Sequence, residues 1–205
     1  MERIMKYLAD AEGTHLHRIP SEKDITSAYG IYRYAHPDAK IFEYIDRMAN
    51  KVVDSTDWAD DEITKIDRLL DPVVVHDLAQ EFYEEYLAGA HLECIPEDAK
   101  IAAMSCYTNS PKRYWKAVQT ALVWMCNAGR LDVDRDSLST VDGSYGGKTE
   151  RALALIEDGR GNEFEVNMLL AMTGQYIELS LGNPDKFMNY LRGWYNRMAL
   201  LAKTV

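Results

Sequence analysis

Cysteine is scarce in this 205-residue chain. Cys94, Cys106 and Cys126 are an odd number with no Cys-x-x-Cys spacing, so neither a disulfide framework nor a zinc site is expected and the thiols read as reduced. Long apolar runs are missing too, and nothing approaches the roughly 20 residues of a membrane span. The start, MERIMKYLADAEG, has no unbroken apolar stretch, which predicts no secretory leader. Basic residues are the minority: 23 Lys and Arg stand against 33 Asp and Glu, a net charge of −10. The acidic excess is local. Residues 54–98 hold fourteen acids against Lys65 and Arg68, and the remainder is close to neutral. That balance argues against broad electrostatic binding to nucleic acid or to an anionic membrane. No GxSxG element or Cys-His signature supports a nucleophilic hydrolase. DGSYGGKT lacks the GxxxxGK[ST] spacing, because Asp142 stands where its first glycine would be, so nucleotide binding is not expected.

The apolar share of 47% and aromatic share of 10% fit a folded globular chain. Helical periodicity dominates, and the fold class expected is mainly α. Residues 2–12 read as a first helix, with Ile4, Leu8 and Glu12 spaced by four. Residues 13–35 break the pattern with Gly13, Pro20 and Gly30, and the alternating piece Thr14–Ile19 fits a small β-hairpin or extended loop. Pro37 is expected to open a helix carrying Ile41, Tyr44, Ile45, Met48 and Val52 on one face. A short helix over 60–70 follows. Another runs from Pro72 to about Ala90, with Leu78, Phe82 and Leu87 inward. Further helices are expected over 97–107, from Ser110-Pro111 to about Asn127, and over 148–158, 163–181 and 184–202. Ser110 supplies a capping hydroxyl, and Gly129 ends its helix. The chain divides into 1–50, an acidic helical insert over 51–98 and a helical lobe over 99–205, within one domain.

Glu12 is the most informative residue. It shares the inward stripe of Ile4 and Leu8, and Gly13 ends the helix right after it. A carboxyl partly withdrawn from water favours its protonated form, which a general acid requires. His15 and His17 would share one face of a strand. With no third ligand at a recognisable spacing they are expected at the rim of a site rather than on a metal. Tyr29, Tyr32 and Tyr34 follow; aromatic rings pack on sugar faces, and Tyr29 is the first candidate for that contact. Trp58, Trp115, Trp124 and Trp194 are expected in the core.

The stretch AEGTHLHRIPSEKDITSAYGIYRYAHPDAKIF resembles the catalytic segment of phage-type N-acetylmuramidases of glycoside hydrolase family 108. That family's pattern is Glu-Gly-Gly at a helix end, an Asp-containing loop, then Thr-Asn-x-Gly-Ile. Glu12 and Gly13 match its start, Thr26 falls fourteen residues after Glu12 as in the family, and Gly30-Ile31 match its close. Thr14 replaces the second glycine, Ser27 the Asn, and two residues, Ala28 and Tyr29, stand where the family has one. Ser21 occupies the usual loop Asp position, with Glu22 and Asp24 nearby. Downstream, SPKRYWKAVQTALVWM followed by DGSYGGKTERAL is similar to the family's C-terminal peptidoglycan-binding region. Asp142, Gly143, Gly146 and Thr149 fit its Asp-Gly-x-x-Gly-x-x-Thr spacing. FMNYLRGWYNRM is similar to its terminal helix. Residues 50–95 have no counterpart.

The resemblance implies a lysozyme-like α-helical fold that cleaves the β-1,4 bond between N-acetylmuramic acid and N-acetylglucosamine in peptidoglycan. Glu12 would protonate the leaving oxygen, and Asp24 or Glu22 would stabilise the oxocarbenium-like transition state or activate water. Thr26 would position that water. Ser27, Tyr29, Glu22, His15 and His17 would line the substrate. No cofactor is expected, and the partner is the glycan strand. The protein would be made in a host cytoplasm and reach the wall through a holin or with a virion. Two alternatives remain open: a single-Glu lytic transglycosylase, and a catalytically silent wall-binding or virion protein.

Overall fold

In the computed structural model, helix α1 spans Glu2–Glu12 and buries Ile4, Met5 and Leu8. Burial of each such side chain contributes about 1.5–3 kcal/mol. The helix stops at Gly13, whose φ of 81° and ψ of 168° an L side chain rarely adopts; its N–H closes on the Ala9 carbonyl. The structure describes residues 1–18, 25–26, 28–53, 58–133, 138 and 141–184. Mainly helical architecture is what they show. The extended element expected near the N-terminus is small: β1 (His17–Arg18) pairs antiparallel with β2 (Ile25–Thr26), His17 opposite Thr26 and Arg18 opposite Ile25. The chain forms two compact units, Met1–Tyr86 and Leu87–Val205.

In the first unit a 3-10 turn, Ala28–Gly30, packs on α1. It is followed by α2 (Lys40–Ala49), α3 (Asp60–Asp67) and α4 (Pro72–Tyr86). Helix α2 begins three residues later than the proline rule places it. Residues 36–39 instead form a turn in which the Ala39 N–H bonds the His36 carbonyl, and Pro37's fixed φ suits that turn equally. Val52, expected on the α2 face, is exposed beyond the helix end. Helix α4 buries Val75, Ala79 and Tyr83 rather than the row through Leu78 and Phe82. Arg33 fixes the loop before α2: its guanidinium makes two bonds to Asp46, at 2.7 and 3.1 Å, and lies over the rings of Phe42 and Trp58.

The second unit starts with short 3-10 turns and continues as α5 (Lys100–Asn109), α6 (Pro111–Asn127), α7 (Gly147–Leu153) and α8 (Gly161–Gly182). Helices α5, α6 and α8 pack on one another around Met104, Leu122, Met125, Phe164, Met168 and Met172, all fully buried. Unbranched methionines fill the irregular gaps between the helices. Ser110 precedes α6 as expected, yet its hydroxyl makes no capping bond; its carbonyl accepts the Arg113 and Tyr114 N–H groups instead. Trp58 and Trp115 are buried, whereas Trp124 is 41% exposed. Residues 185–205, including the expected terminal helix and Trp194, lie outside the described residues. No described helix is long and apolar enough to cross a membrane.

Candidate functional site

The first unit brings Glu12 and Gly30 together. Glu12 is half-buried at the last turn of α1. A Cβ added to Gly30 would stand 2.9 Å from Glu12 Cγ and 3.1 Å from its Cδ, so the bare face of this glycine is the surface on which the Glu12 side chain lies. Gly30 has φ +73°, and the preceding Tyr29 also lies in the left-handed region at φ 63°. Left-handed backbone at a bulky residue is costly and needs support from its surroundings. Support comes from both sides. The Tyr29 N–H donates to the Gly13 carbonyl at 2.8 Å, tying the turn to the end of α1. The Tyr83 hydroxyl, from α4, donates to the Tyr29 carbonyl at 2.6 Å inside the unit. Ile31 follows, buried to 1% exposure, and anchors the turn in the core.

Tyr29 takes a different part from the sugar contact expected of it. Its side chain is 6% exposed, and the ring meets His76 edge-on at 6.0 Å. A ring packed inside the unit presents no face to a glycan, and burial pushes its hydroxyl pKa upward. Its contribution is the shape of the turn that meets Glu12. Of the three tyrosines in this stretch Tyr34 is the open one, 79% exposed and 6.0 Å from Tyr32.

His15 and His17 are both exposed, and only His17 belongs to a strand. His15 Nδ1 lies 2.9 Å from Asp67 Oδ2, while Asp67 Oδ1 accepts the Leu16 N–H at 2.9 Å. One carboxylate at the end of α3 therefore pins the segment that leaves α1. Arg18 approaches Asp60 at 3.8 Å. Thr26 lies on β2, opposite His17. Glu22, Asp24 and Ser27 lie outside the described residues.

The Asp-Gly turn of the second unit is built around Gln119. This α6 side chain is 6% exposed, and its amide is spent on the turn. Nε2 donates to Asp142 Oδ1 at 2.8 Å and to the Ser144 carbonyl at 3.0 Å; Oε1 accepts the Gly143 N–H at 2.8 Å. Gly143 is required twice over, by its φ of +79° and by Lys116, whose Cγ would lie 2.9 Å from an added Cβ. The hydrogen bonds from Gln119 and the Ser144 N–H, with the charge of Lys148, hold the Asp142 carboxyl below its ordinary range.

Three of these positioning residues escaped the sequence reading: Asp67, Tyr83 and Gln119. Each has a polar end where its helix meets a loop, and the signal for Tyr83 and Gln119 was a polar group on a row of small or apolar inward residues. Comparison with family models, with curated proteins and with solved structures finds no match to this chain.

Proposed function

We propose that the chain is a peptidoglycan hydrolase that cleaves the β-1,4 bond between N-acetylmuramic acid and N-acetylglucosamine, with Glu12 as general acid. The observation that carries this reading is the contact between Glu12 and Gly30. Residues from the two ends of one recognisable motif meet at the end of a helix, where a half-buried carboxyl borders a supported, strained turn. In this reading Glu12 has the role of the group that protonates the glycosidic oxygen as the bond breaks. The second carboxylate is, in this reading, Asp24 or Glu22. A carboxyl separation of about 5–5.5 Å would give retention, and one of about 6.5–9.5 Å, with water between, inversion. The biological setting that goes with this activity is lysis of a bacterial wall by a phage-type enzyme delivered through a holin or with a virion.

Mass spectrometry of purified sacculi after incubation tests the reading. Wild type is expected to release fragments with reducing muramic ends, and Glu12→Gln to release at least about 100-fold less. Anhydro-muramic ends would make the protein a lytic transglycosylase. Intact glycan, or equal activity in Glu12→Gln, would refute the assignment.

A further inference from the structure

Just beyond Gly30 the first unit holds an aromatic ring out in water. After Gly30 and buried Ile31 the chain turns over residues 32–36, where the Ala35 and His36 N–H groups both donate to the Tyr32 carbonyl, at 3.1 and 3.0 Å. Two side chains of this turn are spent on the unit. Arg33 makes its two bonds to Asp46 and lies over the Phe42 and Trp58 rings. His36 meets Phe82 and Tyr86 edge-on, at 4.9 and 5.1 Å. Tyr34 lies between these two anchors. At 79% exposure it is, among the described residues, the most open of the large apolar side chains. Half-buried Tyr32 stands beside it, the rings 6.0 Å apart and tilted by 39°.

Exposure alone does not mark a site, since single apolar side chains are common on protein surfaces. The support beneath this one sets it apart. Clamping Arg33 and His36 fixes the backbone on both sides of Tyr34, and a tyrosine has only two side-chain torsions left to order. A large contact area is therefore already in place, and the ordering cost of binding to it is small. Leu181, almost as open at 76%, has no such frame, because it stands one residue before the end of α8.

Position and charge narrow the ligand. Tyr34 is four residues beyond Gly30, the glycine on which Glu12 lies, and four extended residues span at most about 14 Å. The turn over 32–36 shortens that distance, so Tyr34 stands within the length of a short oligosaccharide from Glu12. The one ionised side chain of the turn, Arg33, is already paired with Asp46, which leaves an uncharged partner as the better match. A tyrosine ring packs on the C–H face of a sugar, and its hydroxyl bonds to the polar groups at the rim.

We infer that Tyr34, with Tyr32 beside it, is an aromatic contact for an N-acetylhexosamine ring of the glycan strand on which Glu12 acts. The inference rests on the peptidoglycan reading above and deepens it: the part expected of Tyr29, whose ring is buried, falls to Tyr34. This contact is the same before and during bond cleavage, so it raises affinity rather than turnover.

Calorimetry on the full chain carrying Glu12→Gln, with peptide-free glycan strands as probe, tests this without cleavage. The Glu12→Gln protein is expected to bind the strands, and adding Tyr34→Ala should weaken binding at least about tenfold. Tyr34→Phe keeps the ring and should lie within about threefold of the parent. Val73→Ala removes another exposed apolar side chain of the same unit and should leave binding unchanged. Substitution at so open a position spares the fold, and equal urea midpoints verify it. With Glu12 intact, Tyr34→Ala should raise KM and alter kcat by less than about twofold. Unchanged binding in Tyr34→Ala, or an equal loss in Tyr34→Phe or in Val73→Ala, overturns the proposal, and so does a failure of the strands to bind. Strands that bind through Tyr34 but survive the chain with Glu12 intact would refute the Glu12 assignment alone. Strands that this chain cuts, with Tyr34→Ala at the parent's affinity, would refute the Tyr34 contact alone.

Discussion

Replacing Gly30 by alanine tests the site with a single methyl group. At φ +73° an L side chain costs roughly 1–2 kcal/mol. The methyl would also stand 2.9 Å from Glu12 Cγ and 3.1 Å from its Cβ and Cδ, where carbon atoms prefer about 3.5–4.0 Å. Either the turn or Glu12 must withdraw by something approaching 1 Å. The turn is held by the Tyr29 N–H on Gly13, by the Tyr83 hydroxyl on Tyr29 and by buried Ile31, so the Glu12 side chain is the part that yields. Overpacking adds about 1–3 kcal/mol. Gly30→Ala should therefore lower stability by about 2–5 kcal/mol. Misplacing a reacting group by about 1 Å costs on the order of 100-fold in rate. Gly129→Ala is the control: its φ is +67°, nothing lies within 4 Å of its added Cβ, and it stands outside the site. That change carries backbone strain alone and should leave turnover unaltered. Urea denaturation gives the stabilities, and reducing ends released from sacculi, under conditions where both variants are folded, give the rates. Wild-type turnover in Gly30→Ala, or an equal loss in Gly129→Ala, would refute the reasoning.

Tyr83→Phe removes the donor to the Tyr29 carbonyl, and leaving that group unpaired inside the unit should cost about 1–3 kcal/mol in urea denaturation; a loss below about 0.5 kcal/mol would mean that the bond does not support the turn. His36 sits edge-on between Phe82 and Tyr86, and burial lowers its pKa from the ordinary 6.5. Between the two values the unfolded chain binds more protons, so this contribution to stability is present above pH 6.5 and is lost as pH falls through the folded value. His36→Phe should flatten that acid limb of the stability profile, and an unchanged slope would assign the limb to other groups. Burial pushes the Cys106 thiol up to about 12, whereas Cys94 and Cys126 are half-buried. Iodoacetamide on the native protein should label the latter two and spare Cys106 until the chain unfolds, as read by peptide mapping; native labelling of Cys106 would contradict its buried position.

How much of this was legible from the residues depended on how local the cause was. Helix α1 and its end followed from Ile4, Leu8 and Glu12 at intervals of four and from Gly13, all short-range signals. The inward row of α4 did not follow, because hydrophobicity ranks Phe82 above Tyr83. The structure buries Tyr83 since a carbonyl held in a strained turn gives its hydroxyl a partner, and that partner is 54 residues away. The Ser110 hydroxyl failed as a cap for a related reason: the residue lies at φ −158° and ψ 77°, and it is the carbonyl that engages the first turn. The meeting of Glu12 with Gly30 was present in the sequence only as a resemblance, since no periodicity links a helix end to a glycine beyond an irregular loop.

The acidic stretch was the feature that sequence left without a role, and its residues now have one. Asp67 takes the Leu16 N–H and His15, Asp60 stands near Arg18, and Tyr83 holds the Tyr29 turn. The Asp71 N–H donates to the Tyr44 hydroxyl, joining the start of α4 to α2. Each of these contacts reaches from α3, or from the start or body of α4, back to residues 15–44, which follow Glu12 and include the turn that it meets. Charge explains some of this. Asp67 faces two donors on a segment whose irregular backbone would otherwise leave an N–H unpaired, and a carboxylate accepts such bonds more strongly than a neutral side chain. Other carboxylates of the stretch stay in water, as Asp61 paired with Lys65 and Glu81 beside Lys40 do, and add little to stability. A short irregular segment cannot hold a carboxyl in register by its own contacts. In this chain the rigidity comes from two helices of the acidic stretch that follow it.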